Sequence, residues 1–332
     1  MSPIGVIGAG SWGTALAVCL ARNGRSVQLW GHEPAHIGQL RAERSNRQFL
    51  PGVGFPETLQ VSADLHELGT DCDDLLVVVP SEFFRSVLSQ LTQVLQGPHR
   101  IAWATKGLEE GSGKLLHQVA AEVVAPGTPL AVVSGPTFAM EVARGLPTAL
   151  TVASRDERFA TDFAAALHGG ELRAYTAQDV AGVEVGGAAK NVLAIAAGIA
   201  DGLGFGANAR AALITRGLRE IMRLGVCLGG QPETFMGLTG MGDLVLTCTD
   251  DQSRNRRFGL AIGRGMTIGD ARKSIDQVVE GLGTTRVVRE LAQRLGVDMP
   301  IVEQVYQVLW NNQRPEAAVR SLFGREPKAE AG

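Results

Sequence analysis

Two lysines stand where lysine is out of place. Lys190 interrupts the nearly uncharged stretch 183–200, with Gly186-Gly187-Ala188-Ala189 before it and Asn191-Val192-Leu193-Ala194-Ile195 after it. Burial there disfavours the ammonium and lowers its pKa, and a second nearby cation lowers it further. A lysine tuned toward neutrality can take the proton from an alcohol as its carbon loses hydride. The structural alternative is a lysine snorkelling from a core helix. Lys106 follows the apolar run Ile101-Ala102-Trp103-Ala104-Thr105 and precedes Gly107, which places it at the end of a buried strand. Ligands of open α/β sheets bind beyond such ends.

Asp243 is an isolated acid in Gly240-Met241-Gly242-Asp243-Leu244-Val245-Leu246-Thr247. It either caps a helix or pairs with Lys190, with Thr247 one helical turn further on the same face. Ser253-Arg254-Asn255-Arg256-Arg257 concentrates three guanidinium groups beside two small polar side chains, a composition suited to bidentate phosphate recognition or to an exposed basic turn. Ser134-Gly135-Pro136-Thr137-Phe138-Ala139 offers flexible backbone and hydroxyls for an anion or polyol at another strand end. Glu280-Gly281 is a polar break after Val278-Val279 whose role spacing alone leaves open.

A dinucleotide would supply the hydride chemistry, and the chain begins with a site for one. The apolar run Ile4-Gly5-Val6-Ile7 leads into Gly8-Ala9-Gly10-Ser11-Trp12-Gly13 and a helix-like stretch. Gly8 suits the tight turn out of a first strand, Gly10 lets backbone approach a pyrophosphate, and Gly13 lets the next helix lie close to the sheet. The helix start then presents unpaired N–H groups and a positive dipole end. Beyond the second strand stand His32 and Glu33; the acid favours a ribose hydroxyl, whereas a protonated histidine would partly neutralise a 2′-phosphate.

The elements that must hold these residues fall into two textures. Up to about residue 176, β-branched runs at 5–8, 26–30, 75–79, 100–104 and 130–134 alternate with helical stretches, as in a mostly parallel doubly wound sheet. After about residue 180, alanine, leucine and glycine dominate at helical spacing, with helices expected over 183–200, 207–224, 256–263, 284–295 and 301–310. The expectation is an α/β, Rossmann-like domain over 1–180 followed by an all-α substrate and catalytic domain over 181–332. The tail 325–332 is expected to fray.

Composition narrows the partner. A net charge of −3 with interspersed signs argues against nucleic acid or an anionic membrane, and leaves a small molecule. The apolar run 192–200 is about half a bilayer span and reads as a buried helix, and no targeting segment or integral membrane contact is expected. Cys19, Cys72, Cys227 and Cys248 form no C-x-x-C pair, which fits reduced thiols in a cytoplasmic enzyme. His32 and His36 lack a carboxylate or thiolate in ligand spacing, so they read as a surface pair and no metal is expected. A homodimer through the glycine-rich helical half is compatible with the sequence.

Taken in order, Gly8–Ala15, Ala104-Thr105-Lys106-Gly107-Leu108-Glu109, Ser134–Ala139, Gly187-Ala188-Ala189-Lys190-Asn191, Gly242-Asp243-Leu244 and Ser253-Arg254-Asn255-Arg256 resemble the signatures of the bacterial-type NAD(P)-dependent glycerol-3-phosphate dehydrogenases. The resemblance spans residues 8–256. It implies reduction of dihydroxyacetone phosphate to sn-glycerol 3-phosphate for phospholipid synthesis, with Lys190 as proton donor or acceptor and Asp243 orienting it. It implies that Lys106, Gly135, Thr137, Lys190, Asp243, Ser253, Arg254 and Asn255 surround the substrate. Gly8, Gly10, Ser11, Trp12, Gly13, His32, Lys106, Ala139, Arg254, Val278 and Glu280 would hold the cofactor. Members more often carry serine where Thr137 stands, and many carry arginine where His32 stands. The cofactor implied is NADP or NAD, leaning slightly to NADP. Two other readings compete: a related two-domain hydroxyacid dehydrogenase, disfavoured by the phosphate-suited cluster 253–255, and a non-catalytic dinucleotide sensor, which would have no need of a desolvated lysine.

Overall fold

The computed structural model describes residues 2–275 and 277–324, so the expectation for the tail 325–332 lies outside the described residues. The described residues form an eight-stranded sheet: β1 (Ile4–Ile7), β2 (Val27–Trp30), β3 (Leu59–Ser62), β4 (Asp74–Val77), β5 (Arg100–Trp103), β6 (Leu130–Ser134), β7 (Thr148–Ser154) and β8 (Leu172–Ala177). Their spatial order is β3-β2-β1-β4-β5-β6-β7-β8. Neighbours run parallel except β6 and β7, which are antiparallel.

Side chains alternate across the central strands and feed two different cores. Val6, Leu76 and Ala102 join the cluster on one face, while Ile7, Val77 and Trp103 join the cluster on the other. Both faces are therefore covered by helices, which is why these strands read as continuous apolar runs. The chain order reverses direction between β1 and β4, and this switch point opens the crevice in which α/β proteins bind ligands.

The five strands expected from the sequence are present within one or two residues at each end. β3, β7 and β8 were not among them. β3 and β8 are the edge strands, and the exposed positions of β8, Arg173, Thr176 and Tyr175, interrupt the apolar run by which a doubly buried strand is recognised. The surface reading of the histidine pair is corrected for His36. His32 is exposed, but His36 is buried, its Nε2 lying 3.3 Å from Asn46 Oδ1 and its ring packing edge-on against Phe49.

Beyond Ala177 the described chain is helical. Its axis is the helix Val180–Gly202, started by Asp179, whose carboxylate accepts from Gly182 N at 2.8 Å and also from Gln231 N and Thr234 Oγ1. This is the described helix long and apolar enough to cross a membrane, and that apolar window is entirely buried among other helices. The expected run 192–200 is thus core helix. The helix Arg254–Gly263 crosses it at backbone contact. A Cβ built on Gly198 would stand 2.0 Å from the Arg256 carbonyl oxygen, and one on Gly259 would stand 2.1 Å from that of Ile195. Gly202 and Gly263 extend the same seam one turn further, each barred from a side chain by the facing backbone.

Candidate active site

The crossing helices bring the chemistry together at the carboxyl ends of β5 and β6. Lys190, six per cent exposed, projects from the central helix and places Nζ 2.5 Å from Asp243 Oδ1 and 3.0 Å from Thr247 Oγ1. Lys106, three residues past β5, reaches the other oxygen of the same carboxylate at 2.8 Å and the Gly135 carbonyl at 3.1 Å. Asp243 is fully buried and opens the helix Asp243–Thr249, which follows a π-turn over Leu238–Gly242. Its carboxylate is directed to the two lysines, and Thr247, four residues on, donates to its backbone carbonyl at 2.6 Å. Pairing with Lys190 is therefore the arrangement found, and the capping alternative is set aside.

Burial lowers the Lys190 ammonium from the usual 10.5 to about 8, with the neighbouring Lys106 adding to the lowering and Asp243 opposing it. The result is an amine that exchanges a proton near neutrality while held at fixed position. Gly135 makes room for this arrangement: its φ of +156° lies outside the range comfortable for L-residues, and a Cβ there would stand 2.8 Å from Leu150 Cα. Gly187, one turn before Lys190, leaves space for Ser134 Oγ and the aliphatic stem of Lys106. Ser134 Oγ is buried without a hydrogen-bond partner in the structure.

The glycine turn after β1 behaves as its spacing suggests. Gly8 has φ +124°, and a Cβ there would stand 2.2 Å from the Val78 carbonyl at the β1–β4 switch point. A Cβ on Gly13 would stand 1.9 Å from the Gly8 carbonyl, so the helix Ser11–Arg22 can sit this close only with glycine there. Gly10 differs: a Cβ there would meet no atom within 4 Å, and no side chain caps the helix it precedes. The free helix start, the open space over Gly10 and the buried, unpartnered Nε1 of Trp12 fit a dinucleotide with its phosphates at the helix N-terminus.

The basic cluster is divided by the helix Arg254–Gly263. Ser253 caps that helix, its Oγ accepting from Arg256 N at 3.2 Å. Arg254 turns toward the glycine turn, where its Nη1 and Ser11 Oγ both meet Gln277 Oε1, at 3.2 and 3.3 Å. Asn255 Nδ2 donates to Asn191 Oδ1 at 3.0 Å, which ties it to the residue beside Lys190, and Gly281 N donates to Asn255 Oδ1 at 2.9 Å. Glu280 begins the helix Glu280–Leu295 and accepts from Asn191 Nδ2 at 3.4 Å. Thr137 Oγ1 donates to the Gly135 carbonyl, Ala139 opens a short helix, and Val278 is half-exposed. His32 is exposed beyond β2, next to Glu33, which precedes the helix Pro34–Glu43 without capping it through its side chain. Gln277 escaped the sequence reading because nothing in its neighbours marks it. The Gly198/Gly202 and Gly259/Gly263 spacings could have been found, since small residues four apart recur on both helices.

Comparison with known proteins decides among the readings that this geometry allows. The model for the NAD-dependent glycerol-3-phosphate dehydrogenase N-terminus matches residues 3–160, and that for its C-terminus matches 179–320. The chain belongs to the NAD-dependent glycerol-3-phosphate dehydrogenase family. Among its relatives, glycerol-3-phosphate dehydrogenase [NAD(P)+] of Edwardsiella ictaluri is 56% identical over 331 residues, covering 99% of this chain and 98% of that one. The protein of the same description from Vibrio campbellii is 55% identical over 98% of this chain and 94% of its own length. A crystal structure of glycerol-3-phosphate dehydrogenase from Coxiella burnetii superimposes with a TM-score of 0.94 at 49% identity, covering 98% of this chain and 99% of that chain. D-mandelate dehydrogenase, with a TM-score of 0.62 at 12% identity, shares the fold alone. As a family member, the chain is an oxidoreductase that uses NAD or NADP.

Proposed function

We propose that this protein reduces dihydroxyacetone phosphate to sn-glycerol 3-phosphate with NAD(P)H, and that Lys190 supplies the proton. The observation that carries the reading is the single buried carboxylate of Asp243 gripping both Lys190 and Lys106, with the uncapped helix start at Ser11 joined to Arg254 through Gln277. When bound, NAD(P)H supplies hydride to the carbonyl carbon. Lys190 then donates a proton to the carbonyl oxygen, and Asp243 and Thr247 fix the direction of the amine. Lys106, held between Asp243 and the Gly135 carbonyl, presents its remaining N–H to the substrate oxygen and favours the developing negative charge. Arg254 and Asn255, at the start of one helix, hold the phosphate, and that anchoring sets the reacting carbon in place. Gly8, Gly10 and Gly13 shape the cofactor turn, Ser11 and Trp12 line it, and His32 meets the adenosine ribose or its 2′-phosphate.

In this reading residues 1–180 bind the cofactor and 181–332 contribute Lys190, Asp243 and the phosphate contacts, with Lys106 and Gly135 completing the site from the sheet. Unpaired Cys19, Cys72, Cys227 and Cys248 support a cytoplasmic location, and the product's chemistry suits phospholipid synthesis. The glycines that suggested a dimer-forming half are filled by the intrachain crossing, so sedimentation of the full chain is the test of a homodimer. The reading is tested by following NADH and NADPH oxidation side by side with dihydroxyacetone phosphate. Turnover that requires the phosphorylated ketone supports it; cofactor binding without turnover would make the protein a sensor instead.

A further inference from the structure

Three arginines share the start of one helix and go three ways. Arg254 faces Gln277, Arg257 is exposed, and Arg256 is buried and turned inward. Arg256 Nη2 donates to Asp201 Oδ2 at 2.6 Å, an oxygen that also accepts from Arg210 at 2.8 Å, and Nη1 pairs with Asp251. Asp201 lies at the end of the central helix that carries Lys190, and Asp251 lies in the turn between the Asp243 helix and the Ser253 cap. One guanidinium thus joins the three segments that hold the proton donor, its carboxylate and the residues read as phosphate contacts. Beneath it the two helices touch through Gly198 and Gly259, so a shift of one along the other would drive backbone into backbone. A buried ion pair is a costly way to hold two helices together, and apolar packing would serve stability as well.

We propose that Arg256 is a positioning residue for phosphate recognition. Through Asp201 and Asp251 it fixes the rotation and register of Ser253–Asn255 against Lys190, without touching substrate itself. The inference rests on the dihydroxyacetone phosphate reading. It requires that loss of Arg256 harm the phosphorylated ketone selectively, whereas a pair that merely stabilises the fold would lower all turnover together.

The test is Arg256→Lys in the full chain, assayed with dihydroxyacetone phosphate and with dihydroxyacetone, which lacks the phosphate. The kcat/KM ratio of the first to the second is expected to fall about tenfold to a hundredfold, chiefly through KM for the phosphorylated ketone. Should the variant not fold, Asp251→Asn removes the partner whose side chain is 77% exposed, and the ratio is expected to fall about threefold. An unchanged ratio in a folded variant, including a parallel loss on both ketones, overturns the proposal. Wild-type protein that does not reduce dihydroxyacetone phosphate at all would overturn the functional reading, and this role with it.

Discussion

Lys106 and Lys190 approach one carboxylate from two different elements, one from the loop after β5 and the other from the central helix. Their ammonium nitrogens lie 2.8 and 2.5 Å from the two oxygens of Asp243. Asp243 is thus the joint between sheet and helices as well as the counter-charge that lets two cations share a buried space. A ketone oxygen placed beside this pair would meet a proton donor and a positive charge together.

The proton-transfer role makes pH dependence specific in sign. With Lys190 as the proposed proton donor, ketone reduction would consume its ammonium form, whose pKa burial lowers to about 8. The rate of reduction should therefore fall as pH rises through about 8, while alcohol oxidation, which needs the free amine, should rise over the same range. Lys190→Ala should lower kcat by about 10²- to 10⁴-fold and remove that inflection. Stopped-flow or steady-state pH profiles in both directions check it, and a variant retaining most of its kcat would exclude the role.

Asp243→Asn separates orientation from charge. The amide can still accept one hydrogen bond, but the two ammonium groups lose their common anion. The Lys190 ammonium is then less favoured, so the reduction profile should shift to lower pH while kcat at its optimum also drops. A profile unmoved from that of the parent protein would mean that Asp243 contributes nothing to the ionisation of Lys190.

Much of this site was legible because its residues violate their surroundings: a lysine in an alanine-rich core helix, an acid between glycines, a lysine at a strand end. The glycine turn was legible for a related reason, since Gly8 and Gly13 sit where backbone leaves no space for Cβ. What the sequence could not convey was direction. Arg254, Arg256 and Arg257 look equivalent in a linear run, yet one helical turn sends them toward Gln277 near the glycine turn, the interior and solvent. Gln277 and the partner of Asn255 depend on which segments meet, and no local pattern records that. The edge strands β3 and β8 escaped because polar or exposed residues break their apolar runs, Gln60 in β3 and Arg173, Tyr175 and Thr176 in β8, so they lack the continuous apolar signature.

The glycine seam between the helices Val180–Gly202 and Arg254–Gly263 predicts a large effect from a small change. Gly198→Ala would place a methyl group 2.0 Å from the Arg256 carbonyl, which the backbones can accommodate only by moving apart. Overpacking of this kind costs at least about 1–3 kcal/mol. Thermal or urea unfolding should show that loss, and the catalytic defect should exceed it because Lys190 and Asn255 sit on the two separated helices. Gly38→Ala, inside the helix Pro34–Glu43 where an added Cβ meets no atom within 4 Å, is the control for an added methyl group and should leave stability unchanged or slightly raised.

In the proposed reading, cofactor preference turns on an exposed residue. His32 stands exposed just beyond β2, followed by Glu33, where the proposed cofactor site would meet the adenosine ribose. A permanent, bidentate cation there should favour a 2′-phosphate, so His32→Arg should raise the NADPH-to-NADH ratio of kcat/KM by about tenfold. Glu33→Gln should move the ratio the same way by removing a like charge. Equal ratios in wild type and His32→Arg would show that the 2′ position is read elsewhere.

Glu220 carries the last prediction, which concerns stability and is independent of the reaction. Its buried carboxylate accepts from Ile301 N at 2.8 Å and Val302 N at 3.3 Å, so one helix caps the start of another, Pro300–Trp310. Burial raises the carboxyl from 4.5 to about 7, despite those backbone donors. Between these values the folded protein holds a proton that the unfolded chain has released, so the group's contribution to stability is greatest below about 4.5 and declines as pH rises through about 7. Glu220→Gln keeps an amide oxygen for the two N–H groups and cannot ionise. Its urea midpoint should therefore be less sensitive to pH over that window than the parent's, with the variant gaining relative stability toward pH 7 and above. Parallel curves for the two proteins would show that Glu220 does not titrate with folding.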